Sequence, residues 1–115
     1  MYKKLFIIFF SISLTIFSQN DEPKGSISGK VVDNDNQQPL IGVNIYVKES
    51  STGTATDKNG NYNLQNLPVG NYTISFSYIG FQTTTKTDII VKPSRNKPLN
   101  VTLHTTIIEM ESVVI

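Results

Sequence analysis

Between Gly29 and Phe81, short runs of alternating apolar and polar residues are cut by turn residues at near-regular intervals. The stretch reads G-K-V-V-D, then P-L-I-G-V-N-I-Y-V, then T-G-T-A-T-D-K-N-G-N-Y-N-L, then L-P-V-G-N-Y-T-I-S-F-S-Y-I-G-F. A period of two turns one face of each run toward a core and leaves the other in water. Many such runs with turns between them define a small all-β sandwich, because each one-faced sheet needs a second sheet to cover it.

Seven strands are expected. Ser26–Asp33 is the first, with Ile27 and Val31 on one face. Asp33-Asn34-Asp35-Asn36 ends it, since Asx side chains bond their own backbone and favour turns. Val43, Ile45 and Val47 mark the second, and Thr54–Thr56 the third. Asp57-Lys58-Asn59-Gly60 then turns the chain, and Asn-Gly between strand-like runs predicts a hairpin. Asn61–Leu64 is the fourth strand. Leu67-Pro68-Val69-Gly70 reads as another turn. Asn71–Ile79, the longest strand, places Tyr72, Ile74, Phe76 and Tyr78 on one side and is broken by Gly80. A Thr-rich edge follows, then Asp88–Val91, a polar loop over Pro93–Pro98, and a last strand carrying Leu99, Val101 and Leu103. Asp57, Gly60, Gly70 and Gly80 are the expected structural turn residues.

The ends differ in character. Lys3 and Lys4 precede an apolar run, Leu5–Phe17, and Ser18 follows. A basic start, a short apolar core and a small residue predict a secretory signal peptide over 1–18, because about 20 residues are needed to span a membrane. Residues 19–25 read as a flexible leader, 26–104 as the sandwich and 105–115 as a tail. Without 1–18 the chain keeps 8 basic and 9 acidic side chains, so no basic excess points to nucleic acid or to an anionic membrane surface. The chain has no cysteine, which excludes disulfide staples and a lipid-modified cysteine.

Nothing in the sequence assembles a catalytic or metal site. Counted from Asp57, the twelfth position of a calcium loop is Pro68, where a bidentate acid is required. His104 is the single histidine, too few for a transition-metal cluster or a serine triad, and it is expected to face solvent. Glu109 and Glu111 lie in the tail. No enzyme, metal or cofactor is expected. Alternation places most of the aromatic side chains Tyr62, Tyr72, Phe76, Tyr78 and Phe81 on the inner face. The alternative is a free carbohydrate-binding or adhesive module, which needs them exposed. The tail segment Ile107–Ile115 is apolar and β-prone, and suits pairing with another protein's sheet by strand addition.

Across Gly25–Leu103 the motifs quoted above resemble the carboxypeptidase-regulatory-like (transthyretin-like) domain that precedes the plug of TonB-dependent outer-membrane receptors. The resemblance implies a Greek-key, transthyretin/prealbumin-like and Ig-like sandwich. Glu111, Ser112, Val113, Val114 and Ile115 resemble the TonB box, an acidic residue and then Val-Val-Ile. By that resemblance, the tail is captured by the C-terminal domain of TonB through strand addition. The domain would then lie on the periplasmic face of the outer membrane in a Gram-negative bacterium. A plug and barrel follow the box in that family but not within these 115 residues. Import is therefore not assigned to this segment, and membrane association is expected only through a barrel.

Overall fold

The computed structural model describes residues 22–106. These residues form two facing sheets and no helix. The first sheet contains β1 (Lys24–Asp33), β4 (Asn61–Pro68), β7 (Asn96–Pro98) and β8 (Val101–Leu103). The second runs in the order β3 (Thr52–Ala55), β2 (Asn44–Val47), β5 (Gly70–Ser77) and β6 (Thr84–Val91). The chain crosses between the sheets four times, which interlocks them.

In the first sheet, β1 lies in the middle. It pairs antiparallel with β4, Ile27 opposite Leu64 and Gly29 opposite Tyr62. On its other side it pairs in parallel with β7 through Ser26–Ser28 and with β8 through Val31–Asp33. β7 and β8 are thus one edge, interrupted at Leu99-Asn100. The interruption is held to β1 by Leu99 N–H donating to Ser28 O at 2.8 Å and Lys30 N–H donating to Asn100 Oδ1 at 3.0 Å. It presses so close that a Cβ on Gly29 would run into the Leu99 carbonyl.

The core forms as the period-two pattern predicts. Ile27, Val31, Tyr62, Leu64, Leu67, Val101 and Leu103 come from the first sheet; Ile45, Val47, Tyr72, Ile74, Phe76, Ile89 and Val91 come from the second. Val43 joins them from the loop before β2. Tyr62 and Phe76 meet edge-on across the sheets, centroids 5.6 Å apart and planes at 72°. Burying an aliphatic or aromatic side chain of this size contributes about 1.5–3 kcal/mol. Among the described residues no buried side-chain nitrogen or oxygen lacks a hydrogen-bond partner.

Several expectations are revised. Eight strand segments appear rather than seven, because Asn96–Pro98, expected within a loop, pairs with β1. β1 starts at Lys24, inside the expected leader, and Gly25 is already buried beside Val91. The Thr-rich stretch and Asp88–Val91 are one strand, β6, at the edge of the second sheet. Its register shifts between the Tyr72 and Ile74 pairs, where Asp88 has φ of 56°. Such a bulge twists an edge away from chance pairing. The expected signal peptide lies outside the described residues.

Candidate interaction site

The register fixes two ends. Lys24, Pro68, Gly70 and Val91 meet at the entry end, where β1 begins; Asp33, Ser77, Thr84 and Leu103 mark the exit end. At the exit end the chain keeps pairing after β8. Gln82 N–H donates to His104 O at 2.8 Å and Thr106 N–H to Gly80 O at 3.0 Å, bracketing an antiparallel Phe81–Thr105 bridge. Thr106 thus lies beside the tight turn Tyr78–Phe81, closed by Phe81 N–H donating to Tyr78 O at 3.0 Å. Ile79, at the tip of this turn, is 91% exposed. The tail residues Glu111, Ser112, Val113, Val114 and Ile115 lie outside the described residues.

The four expected turn residues divide. Asp57 Oδ1 accepts the N–H groups of Asn59 and Asn61, each at 2.9 Å, and Gly60 N–H donates to Asp57 O at 2.9 Å. Gly60 has φ of +77°, and a Cβ there would sit 2.8 Å from Pro39 Cβ and from Val31 O. This turn is not a hairpin, however: β3 and β4 belong to different sheets, so it carries the chain across the sandwich. Gly80 takes φ of +84° in open space. Gly70 is not a turn residue. It lies in β5 opposite Val91 without a positive φ, and Val69 alone makes the crossing.

Two polar groups escaped the sequence reading. Thr56 is buried; its hydroxyl accepts from Val43 N–H at 2.9 Å and donates to Leu40 O at 2.5 Å. The Tyr62 hydroxyl donates to Leu99 O. Burial pushes the Tyr62 phenol well above the ordinary tyrosine range. Tyr72 is also raised, by burial and then by the negative charges of Glu49 and Glu22. Glu49 is lowered, chiefly because its carboxylate accepts the Thr73 N–H at 2.8 Å. A Thr with hydroxyl satisfied on both sides is invisible in a sequence, because its partners are loop carbonyls and amides brought in by the fold.

Among the described residues no three His, Cys, Asp or Glu side chains converge on a metal-sized site. His104 is exposed, as expected. Tyr62, Tyr72 and Phe76 are buried, while Tyr78 and Phe81 pack against the core with centroids 5.6 Å apart. The exit end presents exposed Ile79 and edge backbone, which suits protein contacts.

Comparison with known proteins agrees with this architecture. The profile of the CarboxypepD_reg-like domain matches residues 27–115. The chain belongs to this family. It is similar to TonB-dependent receptor P3 of Formosa agariphila, 31% identical over 113 residues, which are 98% of this chain and 11% of the receptor. It is also similar to TonB-dependent receptor SusC of Bacteroides thetaiotaomicron, 37% identical over 84 residues, 71% of this chain and 8% of that one. The chain therefore spans about a tenth of the length of these relatives. Among solved structures, the TIE protein of Bacillus anthracis shares the fold with a TM-score of 0.62 at 21% identity, covering 73% of this chain and 17% of that one. The major pilin subunit BcpA of Bacillus cereus does so with a TM-score of 0.56 at 18% identity, covering 73% and 31%.

Proposed function

We propose that this chain is the N-terminal sandwich of a TonB-dependent outer-membrane receptor for nutrient or glycan uptake. It acts without catalysis, on the periplasmic side, ahead of a plug and barrel. The observation that carries this reading is the match to receptor P3, which takes in 98% of this chain and 11% of the receptor. The exit geometry supports it. Pairing of His104–Thr106 with Gly80–Gln82 anchors the chain at the exit end as far as Thr106. In this reading the tail adds as a strand to the TonB C-terminal domain, with backbone hydrogen bonds supplying the affinity.

The test is a titration of the TonB C-terminal domain with the chain from Gln19 onward, with and without 107–115. Binding that depends on the tail is expected; equal affinities sink the tail's role. The carbohydrate-module reading has little to stand on, because Tyr46, 46% exposed, is the single exposed aromatic among the described residues.

A further inference from the structure

Half of the cations of residues 22–106 lie at the entry end. Lys92, Arg95 and Lys97 fall within six residues, and Lys24 lies next to them. Their turn is clamped to the start of β1: Ser94 N–H donates to Lys24 O at 2.8 Å, Ser26 N–H to Arg95 O at 2.9 Å, and Arg95 N–H to Lys92 O at 3.3 Å. Two depressions meet there. One, of about 290 Å³, is lined by Ile90, Lys92, Arg95, Asn96 and Lys97. The other, of about 340 Å³, shares Arg95 and Asn96 and adds Lys24, Gln65, Asn66 and Ser94 among its walls. No carboxylate lines either one. The nearest acid along β6, Asp88, is engaged by Asn71 Nδ2 at 3.2 Å.

Apolar groups sit beside these charges. Ile90, in the wall of the first depression, is 53% exposed, and Val69, at the β4–β5 crossing of the same end, is 43% exposed. Cations flanking exposed aliphatic side chains match a surface with anionic groups above an apolar layer. Long basic side chains reach the charges while their stems and the aliphatic groups meet the layer. No aromatic lines either depression, so sugars and bases find nothing to stack on.

The geometry points to the entry end as a docking site for anionic phospholipid headgroups, with Lys24, Lys92, Arg95 and Lys97 on the phosphates and Ile90 against the acyl boundary. The near-neutral total charge hides this: Glu22, two residues before Lys24, and Glu49 lie within electrostatic reach of Tyr72 near this end, but neither lines a depression. The outer-membrane reading supplies the membrane, and this inference rests on it only for that.

The experiment is co-sedimentation with phosphatidylglycerol/phosphatidylcholine vesicles at low salt, against phosphatidylcholine alone. It uses the chain from Gln19 onward, since all fifteen core side chains lie between Ile27 and Leu103. Retention on the anionic vesicles alone is expected, falling as salt screens the charges. Each cation removed should weaken it about fivefold, so Lys92→Gln/Arg95→Gln binds roughly twenty-five-fold more weakly. Lys30→Gln/Lys58→Gln, on the same fold but away from this end, should bind as the parent does. Ile90→Ser should lower retention while leaving thermal unfolding unchanged. Absence of charge-dependent retention overturns the inference, as does equal loss in both double variants. Displacement by millimolar glycerol phosphate reassigns the site to soluble phosphates, and preference for an acidic peptide over vesicles reassigns it to a protein partner; either overturns the lipid site. TonB plays no part, so this result and the tail titration fail separately.

Discussion

The Tyr62 hydroxyl donates a hydrogen bond to the Leu99 carbonyl oxygen over 2.5 Å, joining β4 to the break between β7 and β8 over the intervening β1. Leu99 is the residue whose carbonyl also presses on Gly29. One phenol therefore fixes the position of the interrupted edge. Tyr62→Phe keeps the ring against Phe76 but orphans this carbonyl, and should cost about 1–2 kcal/mol, read from the urea midpoint at unchanged m-value. A loss no larger than a surface substitution would show that the bond is replaced by water.

The same phenol makes stability depend on alkaline pH. Burial raises the Tyr62 pKa above its unfolded value, and Tyr72 is raised in the same direction. The folded state thus favours the neutral form. Its contribution is complete below the ordinary tyrosine pKa of about 10 and is lost as pH climbs beyond that toward the folded value. Thermal midpoints measured from pH 8 upward should hold steady and then fall above about pH 10. Tyr62→Phe should flatten that fall.

Three glycines separate backbone conformation from space. Gly60 needs both a positive φ and room beside Pro39, so Gly60→Ala should cost about 2–4 kcal/mol. Gly80 has the same kind of φ with nothing within 4 Å, so Gly80→Ala should cost only about 1–2 kcal/mol. Gly70 requires neither, and its nearest neighbour to an added Cβ is 3.8 Å away, so Gly70→Ala should be neutral or stabilising by up to about 1 kcal/mol. Chemical denaturation of the three variants side by side gives the order.

Thr56 seals the loop between β1 and β2 through Val43 N–H and Leu40 O. Thr56→Val preserves volume and leaves the buried Val43 N–H and the partly buried Leu40 O without their partner, which should cost about 2–4 kcal/mol. Thr56→Ser keeps the hydroxyl and should recover most of that loss. Failure of serine to recover it would assign the effect to packing of the methyl group.

Much of the sandwich was legible because burial writes a period of two into β2, β4 and β5. Ile45 and Val47, Tyr62 and Leu64, and Tyr72, Ile74 and Phe76 all face inward as their spacing dictates. β7 was not legible: Asn96–Pro98 is exposed throughout, and its reason for being a strand is the partner it meets some seventy residues earlier. The Asp57–Gly60 turn was recognised and its consequence misread. Asx and glycine chemistry specifies how the chain reverses over four residues, whereas the sheet that receives the next strand is decided by where Tyr62 and Leu64 find cover. Gly70 was misread because Pro-Val-Gly carries turn composition even where one residue suffices for the crossing. The basic entry end was hidden for a related reason. Lys24 and the cations of 92–97 are remote in sequence and meet only through the β1–β7 pairing.

That parallel pairing also sets the mechanics of the domain. The first strand starts at one end, the last strand finishes at the opposite end, and they lie side by side. A tensile force applied through the two termini therefore slides β1 against β7 and β8 along their length. Their hydrogen bonds share the load and must fail together, whereas a force peeling a hairpin breaks them singly. A sandwich so wired is a force-bearing link, able to pass a pull from the chain after Thr106 to whatever holds Lys24 without coming apart at the seam.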